Sequence, residues 1–393
     1  MRLGLLLLML CYTLSQFYRG FLPVLAGVLA EDIGASPQDL AHASGLWFLT
    51  FAAAQLPIGW ALDRFGAKWT TAALLGGGAG GGAVIFATAQ GPAALNVAMV
   101  LIGAGCAPIL MAAYYLIARS YPPQMFGTLA GLILGMGSLG NLAGSVPLAW
   151  AIGWIGWRAS LLALAAAAVF CAVALALFLR DPVKDPANPP QGRMRDLWAI
   201  PRFWRIAVMM ACVFGPVAAI RGLWLGPFVA DVYGADAQGI GRVGLAMGAA
   251  MICGNFLYGP IDRWVGSRKW PILGGSLGAM ACLLALWAAP GAGLWQVGGL
   301  LTAVGFLGAC YPAIMAHGRA FLPAHLTGRG VTMINLFAIG GAGVVQLASG
   351  PLYLAMSQRA ASVSAGYGGL FGAFAVLGLL GCAVYAFARD ARS

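Results

Sequence analysis

Of 393 residues, 61% are hydrophobic and only 8% are charged, and the mean hydropathy is +0.86. A water-soluble domain carries roughly a quarter charged residues, so this chain has too little polar surface to cover a globule in water. The net charge of +11 is spread between apolar runs instead of gathered in one patch, which argues against nucleic acid and leaves the basic residues as topology determinants.

Apolar runs long enough to cross a bilayer as helices recur along the chain. They fall at about 3–30, 41–62, 69–89, 93–118, 127–152 and 158–179, then at about 206–230, 238–259, 270–289, 293–318, 329–356 and 367–388. Abundant glycine without period-two alternation favours helices over a β-barrel. The first run begins like a signal peptide, with Arg2 before a leucine-rich stretch, but its extension to Ala30 exceeds an h-region and predicts a spanning helix. Residues 181–204 break the composition, with Lys184, Arg193, Arg195 and Arg202 among Pro182, Pro186, Pro189 and Pro190. The expected organisation is a six-helix bundle over 1–180, a cytoplasmic linker over 181–204 and a second six-helix bundle over 205–393. With both termini inside, only Arg158, Arg242 and Arg359 lie on the outer side, and seventeen other Lys and Arg residues lie inside. That bias predicts a multi-pass protein of a bacterial-type inner membrane with cytoplasmic termini.

Two basic residues remain, and both fall inside spans. Arg19 in the first and Arg221 in the seventh lie ~23–24 Å from the start of their helices at ~1.5 Å per residue, near or beyond mid-membrane. An arginine at a helix centre costs ~2.5–3.5 kcal/mol on insertion scales, and it cannot deprotonate. The eleven acidic residues all fall in loops or at span ends, among them Glu31, Asp63, Asp181, Asp262 and Asp390. An anion from solution suits the guanidinium fork, so a small anionic substrate is expected; an arginine bonded to backbone carbonyls at a broken helix is the alternative. Tyr12, Ser15, Gln16 and Arg19 form one polar stripe at i, i+3, i+4 and i+7, and Trp224 shares a face with Arg221.

The two halves repeat. Gly59-x-x-x-Asp63-Arg64-x-Gly66-x-Lys68 returns as Gly259-x-x-Asp262-Arg263-x-x-Gly266-x-Arg268-Lys269. Cys106-Ala-Pro108-x-x-Met111 returns as Cys310-Tyr-Pro312-x-x-Met315, and Arg19-Gly20 as Arg221-Gly222. Internal repeats are a transporter signature. The loop motif and the six-plus-six layout resemble the major facilitator superfamily. That resemblance implies an all-α membrane protein of twelve transmembrane helices in two pseudo-symmetric bundles, working by rocker-switch alternating access. It also implies gating by Asp63, Arg64, Asp262 and Arg263, and a cavity lined by the first, fourth, seventh and tenth helices. Tyr114 or Tyr115 on the fourth and Tyr311 or His317 on the tenth then join Tyr12, Gln16, Arg19, Arg221 and Trp224 as candidate substrate contacts, with Gln55 and Asn255 as further polar positions. An arginine on the first helix and another on the seventh resembles the organophosphate/phosphate antiporter branch, which implies an organic anion, organophosphate or inorganic oxyanion as cargo.

Three other readings stay open. The fold permits drug efflux. Met247 and Met251, one turn apart with Cys253 near, permit a copper or other metal importer. A membrane receptor or assembly factor is the third. The eight cysteines lie in apolar runs without C-x-x-C spacing, so neither disulfides nor a zinc site is indicated. A monomeric non-enzyme without cofactors, in contact with lipid and its solute, is expected.

Overall fold

The computed structural model describes residues 2–121, 126–181, 200–322 and 327–390. Every regular element among them is helical. The first half comprises α1 (Arg2–Gly20), α2 (Leu22–Ile33), α3 (Pro37–Ala73), a π-helical segment (Leu74–Gly80), α4 (Gly81–Ala87), α5 (Pro92–Cys106), α6 (Pro108–Ser120), α7 (Phe126–Ala143) and α8 (Val146–Phe178). The second comprises α9 (Pro201–Ala219), a π-helical segment (Ile220–Trp224), α10 (Leu225–Tyr233), α11 (Ala237–Val265), α12 (Lys269–Ala288), α13 (Leu294–Leu307), α14 (Tyr311–Arg319), α15 (Thr327–Ser357) and α16 (Val363–Ala386).

Among the described residues nine stretches are long and apolar enough to cross a membrane, and α1 with α2, bent by 52°, makes a tenth. The other two expected spans correspond to α3 before Gly66 and to α7, whose apolar part is Leu132–Ala143. The architecture is the all-helical one expected, with several spans built from more than one helix. Local chemistry explains the punctuation. Ser36 caps α3 by accepting from the Asp39 N–H at 3.2 Å while Asp39 accepts from the Ser36 N–H at 2.9 Å. At the matching point of the second half, Asp236 accepts from the Gly239 N–H at 2.8 Å. Pro108 stands at the start of α6, where its missing N–H breaks the fourth span into α5 and α6.

The chain folds as two compact units, residues 1–185 with 236–242 and residues 186–235 with 243–393. The segment expected to be the linker lies largely at 182–199, outside the described residues. In the first unit α1 packs on α7, α3 on α5, and α4 on α5 and α8. In the second, α9 packs on α15 and α16, and α12 on α13 and α16. The second unit's core gathers Phe203, Met210, Ile314, Ile334 and Tyr385, all buried.

Lipid tails are as apolar as leucine, so helix association in a bilayer relies on close packing and hydrogen bonds more than on hydrophobic burial. The α1–α7 contact follows that rule. A Cβ on Gly140 would collide with the Thr13 carbonyl, and one on Gly137 with the Tyr12 ring. The Thr13 hydroxyl donates to the carbonyl of Met136 at 3.1 Å and to that of Met9 at 3.0 Å. Replacing Gly140 with leucine is expected to cost about 1–3 kcal/mol through overpacking and to lower the melting temperature of the detergent-solubilised protein. Gly81, which has open space around it, is the control: Gly81→Ala should leave that temperature unchanged or raised.

Candidate functional site

The first span breaks where its charge sits. Arg19 occupies the last turn of α1, and the chain bends into α2 after Gly20. A cation is favoured at a helix C-terminus, by up to ~2 kcal/mol when partly buried. The Arg19 guanidinium also lies 5.3 Å from the Phe48 ring and 6.0 Å from the Trp47 ring on α3, and cation–π contacts contribute about 0.5–2 kcal/mol. Together these offset much of the cost of placing the charge in an apolar span. Trp47 and Phe48 were not anticipated from sequence; the Trp-Phe pair in the second span was the only signal. The rest of the polar stripe faces protein. Tyr12 is buried and its hydroxyl accepts from Gln16 Nε2 at 2.6 Å, and both side chains lie against Gly137 of α7.

In the second unit Arg221 lies in the π-helical segment that joins α9 to α10, only 5% exposed. Such one-turn π segments occur frequently at functional sites, because the wider turn re-aims side chains. Trp224 closes the same segment. Its indole N–H donates to Ser349 Oγ at 2.8 Å, and Ser349 Oγ donates to the Gln346 carbonyl at 2.6 Å. The Trp224 ring lies 4.9 Å from Tyr353 and 6.1 Å from Tyr367. The structure thus places Trp224, three residues beyond Arg221 in the same segment, in one polar-aromatic cluster with Ser349, Tyr353 and Tyr367 of α15 and α16.

The other candidates are distributed differently. Tyr114 and Tyr115 are half-buried on α6. Tyr311 is half-buried, its hydroxyl donates to Asn335 Oδ1 at 2.7 Å, and its ring lies 5.3 Å from Phe214. His317 is fully buried and engaged at both ring nitrogens, Nδ1 with the Tyr385 hydroxyl at 2.6 Å and Nε2 with the Arg389 carbonyl at 3.2 Å. It joins α14 to the end of α16 within the unit. Gln55 donates to the Ala107 carbonyl at 3.4 Å, bridging the α5–α6 break. Met247 and Met251 pack on Gly305, whose missing side chain makes room for them, and no group of three or more His, Cys, Asp or Glu suited to a metal ion occurs among the described residues.

The repeated loops are pinned by an interaction that sequence reading missed. Gly66 adopts φ 84 and Gly266 φ 66, a left-handed geometry that favours glycine. Just beyond Gly66, the N–H groups of Ala67 and Lys68 donate to Asp181 at 2.7 and 3.0 Å. Beyond Gly266, the N–H groups of Arg268 and Lys269 donate to Asp390 at 3.2 and 3.1 Å. Both acids follow an arginine at the end of the last span of their unit, as Arg180-Asp181 and Arg389-Asp390, and that repeat was the available signal. Of the expected gating residues, Arg64 is exposed with its guanidinium 5.4 Å from the Trp60 ring. The side chains of Asp63, Asp262 and Arg263 lie outside the described residues.

The opposite ends are laced as well. Asp32, at the end of α2, accepts from Trp157 Nε1 at 3.0 Å and from Arg158 Nη2 at 2.9 Å. Arg158 Nη1 also donates to the Ala87 and Ala89 carbonyls at 3.0 and 2.8 Å. In the second unit Asp231 of α10 accepts from the Tyr367 hydroxyl of α16. Each unit therefore carries an acid at the far end of its first span and another at the end of its last, both engaged there.

The chain belongs to the Major Facilitator Superfamily, a family of transporters, whose model matches residues 8–347. Among its relatives, it is 32% identical over 155 residues to a quinolone resistance transporter of Acinetobacter baumannii, covering 35% of either chain. It is 26% identical over 149 residues to an uncharacterised transporter, YybO, of Bacillus subtilis, covering 38% of this chain and 34% of that one. These matches span about a third of the length of each relative. Similar solved structures include a bacterial homologue of the human lysosomal transporter Spinster, at TM-score 0.81 and 20% identity, covering 98% of this chain and 96% of that one. A D-xylose–proton symporter matches at TM-score 0.79 and 14% identity, covering 98% and 97%. At these identities the likeness is one of fold.

The Asp390 contact carries a pH signature. Partial burial opposes its ionisation, but the Ser267 hydroxyl and the Lys269 and Arg268 N–H groups outweigh that and hold its carboxyl below the ordinary value. Its stabilisation is therefore fully present above an unfolded value of about 3.9 and is lost as pH falls through the lower folded value. Asp390→Asn should destabilise the protein at pH 7 by about 0.5 kcal/mol, the low end for a capping side chain because Asp390 is exposed. In thermal melts the gap between wild type and variant should narrow as pH drops below about 4.

Proposed function

We propose that this protein is a transporter that carries a small organic anion across a cytoplasmic membrane by alternating access, with Arg19 and Arg221 as the charge-selecting groups. The observation that carries the reading is that each unit holds a permanent cation inside an apolar span at an interruption of the helix, Arg19 beside aromatic rings and Arg221 buried in a π-helical turn. Acids of the chain serve at span ends: Asp32 and Asp181 in one unit, Asp231 and Asp390 in the other. The interior field is therefore positive, which attracts anions and repels cations. Guanidinium forks bind carboxylates and phosphates through two parallel charge-assisted hydrogen bonds.

The relative named for quinolone resistance favours a second reading, export of aromatic drugs. A quinolone carries a carboxylate on a fused ring system, so a guanidinium beside Trp47 and Phe48 suits such a molecule too. The two readings differ in cargo size and direction. Growth inhibition across a compound panel separates them: export of quinolones raises resistance of the expressing cell, while uptake of a small metabolite leaves it unchanged.

Uptake of radiolabelled small carboxylates and organophosphates into proteoliposomes tests the main reading. A charge-assisted hydrogen bond contributes about 1.5–3 kcal/mol, so Arg19→Ala and Arg221→Ala should each reduce uptake by about tenfold to a hundredfold. Circular dichroism and elution volume should stay those of the wild type. Full uptake by both variants would remove the arginines from the site.

A further inference from the structure

Beside the bend that carries Arg19, the first unit contains an apolar wedge. α8 turns at Gly156, whose φ of 78 is the left-handed geometry that favours glycine, and so consists of two arms, 146–155 and 157–178. Between the arms lies a cavity of about 260 Å³. Leu148, Ala151 and Ile155 line it from the first arm, Ser160 and Ala163 from the second, and Phe17 of α1 completes the lining. The wedge offers no free polar group, because the Ser160 hydroxyl donates to the Gly156 carbonyl at 2.7 Å. An apolar cavity of this kind does not hold water, and its walls lack contact atoms on the open side.

Exposure shows where the wedge opens. Leu148 and Ser160 are buried, whereas Ala163 and Ile155 are exposed. Ala163, Phe170 and Leu177 recur every seven residues and so share one face of the second arm; Phe170 and Leu177 are 74% and 67% exposed. An exposed, wholly apolar face on a spanning helix is a surface against lipid. On the first arm Trp150 and Trp154 are 55% and 87% exposed, and Trp154 adjoins Ile155 at the turn between spans. Tryptophans at span ends sit at the level of lipid headgroups. The wedge therefore begins just below that level, at the depth of acyl chains, and opens toward them.

We infer that the wedge is a binding site for one acyl chain of a membrane phospholipid, seated between the arms of α8 and against Phe17, with its headgroup level with Trp154. The inference does not depend on the anion reading. An apolar cavity of about 150 Å³ accepts a benzene ring, so this one takes roughly ten chain carbons. Lipid tails are as apolar as the lining, so transfer from the bilayer contributes little and the chain is held by close contact with both arms. The seat adjoins the Arg19 bend. Phe17 stands two residues before Arg19, and a Cβ on Gly144 would come within 3.3 Å of the Phe17 carbonyl and of Gly20. That corner is thus closely packed on the Gly144 side and open on the wedge side, where the lipid chain completes it.

Purification in a steroid-based detergent, which has no flexible alkyl chain to compete, tests this. Native mass spectrometry of the wild type should show a phospholipid retained on the chain. After delipidation, palmitoyl-oleoyl phosphatidylglycerol in excess of its dissociation constant should raise the melting temperature by a few degrees. Ala151→Phe with Ala163→Leu fills the wedge from both arms. That variant should retain no phospholipid, show no shift on adding it back, and melt at or above the delipidated wild type. Should the double variant fail to fold, Ala163→Leu alone, at an exposed rim position, carries the same prediction. Val173→Phe, on an exposed part of the second arm about three turns away, should behave as the wild type. A wild type that neither retains nor responds to phospholipid overturns the proposal. So does a filled variant that retains and responds as the wild type does, or a Val173→Phe variant that loses the response equally.

Discussion

A guanidinium keeps its charge in hydrocarbon, and that constraint organises this molecule. Arginine does not escape by deprotonation, so the ~2.5–3.5 kcal/mol cost of a central position must be met by the surroundings. At Arg19 the surroundings are the C-terminus of a broken helix and the faces of Trp47 and Phe48. Arg221 lies buried in a π-helical turn that Trp224 closes by bonding to Ser349. At Arg19 the helix dipole and ring contacts together roughly match the cost. The fold can thus hold the Arg19 charge at rest, and an anion bound there, as proposed, would add stabilisation.

The same economy governs the acids. Asp181 and Asp390 close the turns after Gly66 and Gly266, while Asp32 and Asp231 tie the far ends of the first and seventh spans to the sixth and twelfth. Each is engaged where water is near, and each fastens helices within its own unit. Exposed pairs such as Arg158 with Asp32 contribute little stability individually. Their value is geometric: they fix both ends of a bundle whose interior packs through glycine contacts such as Gly140 on Thr13.

Much of the fold was legible in the sequence because the bilayer imposes length and composition on every span. The repeat of Gly66 at Gly266 and of Pro108 at Pro312 follows from backbone needs that only those residues meet. The breaks were less legible. Hydropathy runs smoothly through Gly20-Phe21, so nothing in composition announces the 52° bend beside Arg19, and the π turn at 220–224 leaves no periodic mark in five residues. The stripe from Tyr12 to Arg19 was legible from its spacing, but not that Tyr12 and Gln16 lie against Gly137. His317 was read as a candidate contact from its helix number; its bonds to Tyr385 and the Arg389 carbonyl were not legible, because they depend on a tertiary contact with α16. Asp181 and Asp390 were read as loop charges, because the N–H groups they cap lie more than a hundred residues away.

The central claim is that fixed positive charge inside the spans selects an anion, and a ligand that binds the folded state raises its stability by about 2.7 kcal/mol at a hundred times its dissociation constant. Thermal unfolding of the purified protein across matched anionic, neutral and cationic solutes at constant ionic strength measures that selection directly. The account predicts stabilisation by one group of organic anions, none by the cations, and loss of the effect in both Arg19→Gln and Arg221→Gln. Stabilisation by a cation, or by an anion whose effect survives both substitutions, would contradict it.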